Sequence, residues 1–320
     1  MAESIIEKLN GAFKLLSTEM KDWYPVIETL DAPPDSLNFH RKYVSQNRPV
    51  VIRNAVTHWP ALTRWSEKYF RDTIGDATVT VAVTPNGYAD AIYKGKFVMP
   101  EERKICMSEF LNVLFSPEEE RKSKGVFYIQ KQNSNLNDEF STLMKDVDPH
   151  VKFGTEAFGA EPDAVNFWMG DERAVTSMHR DHYENLYCVV SGQKTFTLLS
   201  PTDLPFIPYE SCNSAVYKEN MQGGFDIVDV DENGGGNSMV SWIAVDPLNP
   251  DLDKYPQYAH ARPLTVTINP GETLYLPSLW FHHVQQSHGC IAINYWYDME
   301  FDIKWAYYKF LETISSSQQF

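Results

Sequence analysis

Short apolar segments separated by turns dominate the chain from Asp163 onward, and they restrict the folds that it can adopt. Such runs are typical of β-strands, and the glycine, proline and aspartate residues between them are typical of turns. Many short strands joined in this way form a β-sandwich or a β-barrel. A long connection at 201–262 interrupts the pattern, and strands resume at Leu264–Ile268. We therefore expect a mainly β protein with flanking helices.

The first 124 residues predict helices and strands that buttress this β-region. Apolar residues at helical spacing predict an amphipathic N-terminal helix, and they are Ile5, Leu9, Phe13, Leu16 and Met20. Residues 61–74 predict another helix, and residues 116–124 predict a charged loop. A last helix at 301–320 has an apolar face that either packs on the barrel or pairs with another subunit. We expect a single domain over 1–320.

His179 and Asp181 form an H-x-D pair in a strand-like segment. Side chains two residues apart on a strand point to the same face, so both can bind one metal ion. A third ligand must come from elsewhere, and the aromatic run 280–284 contains His282 and His283, between which alternation does not decide. Two histidines and one carboxylate are the ligands of non-haem Fe(II) oxygenases. An H-x-D pair alone is common and does not establish a metal site.

Lys194 follows an apolar strand at 186–190 and a Ser191-Gly192 turn, and a second strand follows at 195–199. This pattern predicts a hairpin with the lysine at the start of its second strand. On an exposed edge, such a lysine would discourage aggregation. If it faced the interior beside a metal, it would anchor an anionic cosubstrate.

Taken together, these motifs resemble the JmjC family of 2-oxoglutarate-dependent oxygenases. The residues that carry the resemblance are Thr176, His179, Asp181, Asn185, Lys194, Trp280, His282, Val284 and Asn294. Further segments resemble a small lysyl hydroxylase of that family, and they lie at 47–49, 58–61, 83–85, 165–168 and 281–286. The resemblance covers residues from about Asp31 to about Lys309.

The resemblance implies a double-stranded β-helix, which is a cupin-like jelly roll, at 125–300 with 201–262 as an insertion. It also implies that His179, Asp181 and His282 bind Fe(II), because the family spacing W-x-H selects His282 over its neighbour. The cosubstrates would then be 2-oxoglutarate and O₂.

The family also implies which residues bind 2-oxoglutarate. Lys194 would hold its far carboxylate, with the hydroxyls of Thr176 and Tyr128 completing the hydrogen bonds. Asn185 and Asn294 would lie around this site, and the alternative for both is a satisfied polar position on a barrel strand.

The implied activity is hydroxylation of a lysine side-chain carbon, with succinate and CO₂ as coproducts. The family member that the chain resembles acts on developmentally regulated GTP-binding proteins. Asp181 or the acidic residues at 226–232 are candidates to receive the lysine ammonium group. The alternatives are a histone N-methyl-lysine demethylase, a histone-tail endopeptidase, and a non-enzymatic cupin-like binding protein. In this family C-terminal helices often form dimers, so we also expect a homodimer.

Charge and composition limit the kinds of partner and the cellular compartment that we expect. Lysine and arginine total 28 against 43 aspartate and glutamate, so the net charge of −15 favours a basic protein substrate. We find no basic cluster of the kind that binds nucleic acid. No apolar run approaches the roughly 18 residues of a membrane span, and the first residues lack a signal-peptide pattern. The four cysteines show no disulfide or zinc spacing. We expect a reduced cytoplasmic protein, with a nuclear location left open.

Overall fold

Two β-sheets packed face to face form the centre of the protein, built from the apolar segments that the sequence places between turns. The computed structural model describes residues 2–230 and 239–316. In this part of the chain the strands are β1 (Glu28–Leu30), β2 (Val50–Ile52), β3 (Thr78–Thr84), β4 (Tyr88–Ala89), β5 (Ala91–Tyr93), β6 (Lys96–Met99), β7 (Glu101–Cys106), β8 (Val126–Ile129), β9 (Ala164–Gly170), β10 (Val175–Arg180), β11 (Tyr183–Ser191), β12 (Lys194–Leu199), β13 (Tyr209–Glu219), β14 (Phe225–Asp229), β15 (Met239–Ile243), β16 (Leu264–Ile268), β17 (Thr273–Leu276), β18 (Phe281–Gln286) and β19 (Cys290–Asp298).

The larger sheet has the strand order β1-β2-β17-β11-β19-β9-β8-β3-β7, and the smaller sheet has the order β16-β12-β18-β10-β4. Neighbouring strands in both sheets are antiparallel, except that β1 with β2 and β4 with β10 are parallel. Buried side chains from both sheets meet in one apolar cluster, which includes Val189, Phe196, Val284 and Ala292. The predicted mainly β fold is confirmed. Polar residues that face this interior are therefore held close together.

Helices pack around the sheets. In chain order they are α1 (Ala2–Trp23), α2 (Ser36–Phe39), α3 (Ala61–Arg64), α4 (Glu67–Ile74), α5 (Met107–Leu114), α6 (Glu118–Ser123), α7 (Asn135–Asp138), α8 (Lys152–Phe158) and α9 (Ile303–Ser316), with a π-helical turn at His40–Val44 and 3₁₀ turns at Ser141–Asp146, Pro201–Phe206 and Pro256–His260. Aromatic contacts fix α2 and α8 on the outer face of the larger sheet, since Phe39 packs on both Phe153 and Tyr275 with ring centroids 5.0 Å apart. Within the described ranges, no helix is both long and apolar enough to cross a membrane.

The first and last helices share one buried apolar cluster. It contains Phe13 of α1, Tyr308 and Leu311 of α9, and Leu204 and Phe206 of the 3₁₀ turn between them in the chain. The predicted N-terminal amphipathic helix is confirmed. The apolar face of α9 packs on the barrel, which is one of the two alternatives that the sequence left open.

Two local predictions in the N-terminal part are wrong. The helix predicted at 61–74 is broken into α3 and α4, because the Ser66 side chain accepts a hydrogen bond from the Tyr69 amide at 3.3 Å and caps a new helix. The charged loop predicted at 116–124 contains α6, which begins after Pro117. Acidic residues in its first turn favour the helix N-terminus, and Lys122 pairs with Glu118 one turn earlier at 2.7 Å.

The hairpin predicted around Lys194 is also wrong. Strand β11 pairs with β17 and β19 in the larger sheet, whereas β12 pairs with β16 and β18 in the smaller sheet. The turn at Gly192, which has a φ of +72°, therefore carries the chain from one layer to the other. Lys194 nevertheless opens the second strand as predicted.

The 201–262 connection contributes β13, β14 and β15 to a third sheet, which has the order β14-β13-β6-β5 with β15 also paired to β13. The long strand β13 runs parallel to β6, so the insertion is attached to the N-terminal part of the chain. The acidic residues Asp231 and Glu232 and the glycine run at Gly234–Gly236 lie outside the described residues.

Glu184 anchors the start of α9 to the larger sheet, and its loss should destabilise the fold. Its buried carboxylate accepts hydrogen bonds from the Tyr275 hydroxyl, the Ser278 amide and hydroxyl, and the Lys304 ammonium. Because Glu184→Ala leaves a partly buried ammonium without its carboxylate, we expect it to lower the free energy of unfolding by about 3–5 kcal/mol in chemical denaturation.

Glu156→Ala is the matched control, because that glutamate lies on the surface and forms an exposed 3.9 Å ion pair with Lys152. Its effect should stay within about 0.5 kcal/mol. Equal effects of the two substitutions would show that Glu184 is not an anchor.

Candidate metal centre and adjoining anion pocket

The pairing of β10 with β18 brings His179 opposite His282 in the antiparallel register of the smaller sheet. The register shifts between Thr176 and His179. This irregularity lets both side chains face the barrel interior although they are three positions apart. Asp181 lies just after β10 rather than inside it, so the predicted strand alternation is not what orients its carboxylate. Its backbone carbonyl instead accepts a hydrogen bond from the Leu279 amide at 2.9 Å.

Three potential ligand atoms converge at this end of the barrel. The Asp181 Oδ2 atom lies 3.6 Å from the Nε2 atoms of both His179 and His282. All three ligand atoms lie within 4.8 Å of one another. The structure thus brings together the three side chains that the sequence analysis named.

The remaining ring nitrogens of both histidines are already occupied. His179 Nδ1 lies 2.8 Å from the Ser177 carbonyl oxygen, and His282 Nδ1 lies 3.1 Å from the Trp280 carbonyl oxygen. A carbonyl accepts only, so each Nδ1 carries the proton and each Nε2 presents a lone pair. This is the tautomer and second hydrogen bond that metal-binding histidines have. The donor set therefore fits a divalent metal ion.

The electrostatics keep Asp181 and His282 in a metal-binding form, whereas the Asp181 carboxylate outweighs burial and raises the pKa of His179. Burial would raise the pKa of the Asp181 carboxyl, but the His179 and His282 imidazoles outweigh it and lower the pKa to about 2. Burial, with the His179 imidazole adding to it, lowers the pKa of His282 to about 4. Asp181 is therefore anionic and His282 neutral at pH 7.

His283 points to the other side of the sheet, as strand alternation requires. Its side chain is buried, and its Nε2 atom lies 3.9 Å from Asp246 Oδ1. Neither ring nitrogen has a hydrogen-bond partner among the described residues. His283 is therefore not part of the cluster with Asp181.

A second set of clustered side chains, Asp171, Glu172 and His288, lies elsewhere on the barrel. Two arginines form ion pairs with its carboxylates. Arg173 Nη2 is 2.7 Å from Asp171, and Arg121 Nη2 is 3.1 Å from Glu172. Guanidinium groups in these positions repel a cation, so this cluster is an ion-pair network rather than a metal site.

Lys194 projects into the barrel and is only 1% exposed. Its Nζ atom donates hydrogen bonds to the Tyr128 hydroxyl at 2.8 Å and to Gln286 Oε1 at 2.5 Å. No carboxylate of residues 2–230 or 239–316 forms an ion pair with it. Burial lowers the pKa of Lys194 to about 8. A buried ammonium without a counter-ion is costly, so this pocket is suited to an anionic ligand.

Hydroxyl groups surround the same pocket. Thr176 and Tyr187 are hydrogen-bonding neighbours of the Tyr128 hydroxyl, whose pKa is raised by burial. Sequence analysis named Thr176 and Tyr128 but missed Tyr187 and Gln286. Both could have been found from period-two spacing, because Tyr187 follows Asn185 on one face of β11 and Gln286 follows His282 and Val284 on β18.

The two predicted asparagines form a short chain of hydrogen bonds inside the barrel. Trp168 Nε1 donates to Asn294 Oδ1 at 2.7 Å, and Asn294 Nδ2 donates to Asn185 Oδ1 at 3.2 Å. Asn294 is also the register partner of Tyr187. Both asparagines lie beside the pocket as expected, and their role in binding 2-oxoglutarate stays a prediction.

The 201–262 segment adds a residue that sequence analysis missed. Trp242 of β15 stacks on the His179 ring with centroids 6.4 Å apart and planes 8° from parallel. Its Nε1 atom donates to Ser177 Oγ at 3.3 Å. No local pattern marks Trp242, because only the packing of the third sheet brings it to the cluster.

Asp90 is a second missed residue near the cluster. It lies between β4 and β5, and its carboxylate interacts electrostatically with His179. Burial raises the pKa of Asp90 to about 6, although the nearby imidazole partly offsets this effect.

Comparisons with known proteins agree with this geometry. A protein family described as "Cupin-like domain" matches residues 36–303. The human protein named "Bifunctional peptidase and (3S)-lysyl hydroxylase JMJD7" is 49% identical over 319 residues, which are 99% of each chain. "Lysine-specific demethylase JMJ32" of Arabidopsis thaliana is 42% identical over 303 residues, 90% of this chain and 86% of the relative. "JmjC domain-containing protein E" of Dictyostelium discoideum is 37% identical over 348 residues, 99% and 97% of the two chains.

The adjacent histidines provide a test of the metal cluster. We expect His282→Ala to lose Fe(II) binding, because it removes one of three converging ligands, and His283→Ala to retain it. Anaerobic titration of each purified variant with Fe(II), with bound iron quantified after desalting, measures this difference. Loss of iron by His283→Ala with retention by His282→Ala would reverse the assignment.

Proposed function

This chain is a member of the cupin-like JmjC family, and on that premise we propose that it is an Fe(II)- and 2-oxoglutarate-dependent protein lysyl hydroxylase. One observation carries the proposal. A histidine–aspartate–histidine cluster and a buried lysine, which has no counter-ion among the described residues, project into the same barrel interior. A binding protein without catalytic activity has no need for both features together.

Each part of the site has a defined task in this proposal. His179, Asp181 and His282 hold the iron through Nε2, Oδ2 and Nε2. When bound, Fe(II) supplies the oxidative chemistry in which O₂ and 2-oxoglutarate convert a C–H group to C–OH, with succinate and CO₂ as coproducts. Lys194 binds the far carboxylate of 2-oxoglutarate, and the hydroxyl of Tyr128 donates a further hydrogen bond to it. The apolar barrel walls exclude water.

The substrate class rests on the relatives. The human relative, 49% identical over nearly the full length, is named a lysyl hydroxylase as well as a peptidase. We therefore propose a lysine side chain of a basic protein as the substrate, with developmentally regulated GTP-binding proteins as the first candidates. The net charge of −15 favours such a partner.

Three of the acidic residues first considered for the lysine ammonium are poor candidates. Asp181 faces both imidazoles and belongs to the metal cluster. Asp229 is paired with Lys96 at 2.5 Å, and Asp226 accepts a hydrogen bond from Asn220 at 3.1 Å.

Demethylation of N-methyl-lysine is the second candidate, since the Arabidopsis relative is named a lysine-specific demethylase. It would use the same iron and 2-oxoglutarate on a different C–H group. Peptidase activity, which the name of the human relative includes, is a third candidate. The three are distinguished by the mass of their products.

We further propose a homodimer that forms through α9 in a cytoplasmic protein. The outer side of this helix supports the dimer, because Ile303 is 81% exposed and Phe310 is 58% exposed. Exposed apolar side chains on a packed helix are typical of association surfaces.

Lys194 should control the affinity for 2-oxoglutarate and its dependence on pH. Because the lysine is protonated below its pKa of about 8, we expect affinity to fall as pH rises through and above that value. Lys194→Ala should weaken binding by about 100-fold or more at pH 7, which is the effect of truncating one partner of a buried charge pair. Calorimetric titration under nitrogen of the iron-loaded protein measures both effects.

Lys152→Ala is the control, because that lysine is exposed and lies on an outer helix. Normal 2-oxoglutarate binding by Lys194→Ala would refute the assignment of the anion pocket.

Mass spectrometry of peptides tests the reaction itself. Lysine-containing fragments of developmentally regulated GTP-binding proteins and histone tails would be incubated with the protein, Fe(II), 2-oxoglutarate and air. We expect a gain of one oxygen on a lysine that His179→Ala abolishes. Loss of a methylene unit would indicate a demethylase, and backbone cleavage absent from His179→Ala would indicate a peptidase.

A further inference from the structure

We propose that the carboxylate of Asp90 receives the side-chain ammonium group of the substrate lysine. The inference rests on the proposed function, because it presupposes that a lysine enters this barrel. It assigns a specificity-determining residue that lies outside the recognised H-x-D, lysine and W-x-H motifs.

The position of Asp90 follows from strand register. Strand β4 runs parallel to β10, with Ala89 opposite Thr176, so the next residue lies toward the end of the barrel that holds His179. The carboxylate is close enough for its charge to act on the His179 imidazole. Asp90 is therefore beside the metal cluster without being one of its three converging ligands.

The backbone at Asp90 is held in an unusual conformation. Its φ is +53°, in the left-handed region that aspartate and asparagine enter more readily than other non-glycine residues. The Ser177 hydroxyl fixes this turn by donating to the Asp90 carbonyl oxygen at 2.6 Å. The Ser177 hydroxyl also accepts from Trp242, and the Ser177 carbonyl accepts from His179 Nδ1. The hydrogen bonds of Ser177 thus hold Asp90, Trp242 and His179 in a fixed arrangement.

The Asp90 carboxylate has no hydrogen-bond or ion-pair partner in residues 2–230 and 239–316. Two other acids away from the surface, by contrast, have hydrogen-bond partners. Asp203 accepts from Ser17 at 2.6 Å, and Asp246, on the other side of the sheet, accepts from Tyr88 at 2.8 Å. A half-buried carboxylate without a partner is a ready acceptor for a cation.

The length of a lysine side chain places its ammonium group at a distance from the metal. The human relative is named a (3S)-lysyl hydroxylase, and four bonds separate carbon 3 of lysine from the ammonium nitrogen, which is about 5 Å in an extended chain. A ligand such as Asp181 cannot serve both the metal and the ammonium. Asp90 and the indole of Trp242 both lie beside His179. The Asp90 carboxylate can therefore receive the lysine ammonium group, while the indole packs on the lysine methylene groups.

The test measures whether Asp90 recognises the ammonium group, independently of turnover. The probes are a labelled lysine-containing peptide of a developmentally regulated GTP-binding protein and the same peptide with norleucine, which keeps the methylene chain but lacks the ammonium. Binding to the iron- and 2-oxoglutarate-loaded protein is measured under nitrogen by fluorescence anisotropy. We expect the wild type to prefer lysine by about 10-fold or more.

Asp90→Asn is the informative variant, because asparagine keeps the left-handed backbone and removes only the charge. It should lose the preference for lysine while binding the norleucine peptide and 2-oxoglutarate as the wild type does. Glu102→Gln is the matched control, since Glu102 is an exposed acid whose charge also acts on Asp90, and it should retain the preference.

Two results would overturn the inference. One is a wild type that binds the lysine and norleucine peptides equally, and the other is Asp90→Asn retaining the preference. Failure of the proposed function is distinguishable, because it would appear as a preference for the lysine peptide without any gain of oxygen when air is admitted.

Discussion

The antiparallel pairing of β10 with β18 is the interaction on which the functional site depends. It places His179 opposite His282 although the two residues are far apart in the sequence. Bringing such distant segments together costs loop-closure entropy, and the buried apolar cluster between the two sheets offsets that cost. The same sheet carries Lys194 on β12, the other neighbour of β18. The register of this one sheet thus sets the two histidine ligands and the lysine of the anion pocket.

Unbalanced charge inside the barrel is the second constraint. Lys194 has acceptors in Tyr128 and Gln286 but no counter-ion among the described residues, and Asp181 is flanked by two imidazoles. Such groups reduce stability unless something compensates for their desolvation. A metal ion and a dicarboxylate would supply the compensation, and ligands that bind only the folded state stabilise it. The interior is thereby organised for its ligands rather than for maximal stability.

Sequence patterns predicted the parts of the site that depend on local spacing. The H-x-D pair, the lysine at a strand start and the alternation that separates His282 from His283 are all local, although selecting His282 required the family resemblance. The hairpin at Lys194 was wrong because a turn within a sheet and a turn between sheets have the same local composition. Trp242 and Asp90 were missed because the third sheet and the β4–β10 pairing bring them to His179, and neither pairing leaves a local signal.

The central claim is that the barrel couples oxidation of 2-oxoglutarate to hydroxylation of a protein lysine. Its most direct test is a reaction under isotopically labelled O₂ in unlabelled water, with the peptide product and succinate both analysed by mass spectrometry. Our account predicts one labelled oxygen atom in the hydroxylated lysine and one in succinate, in equal amounts. Oxygen derived from water in the lysine product, or product formed without succinate, would contradict it.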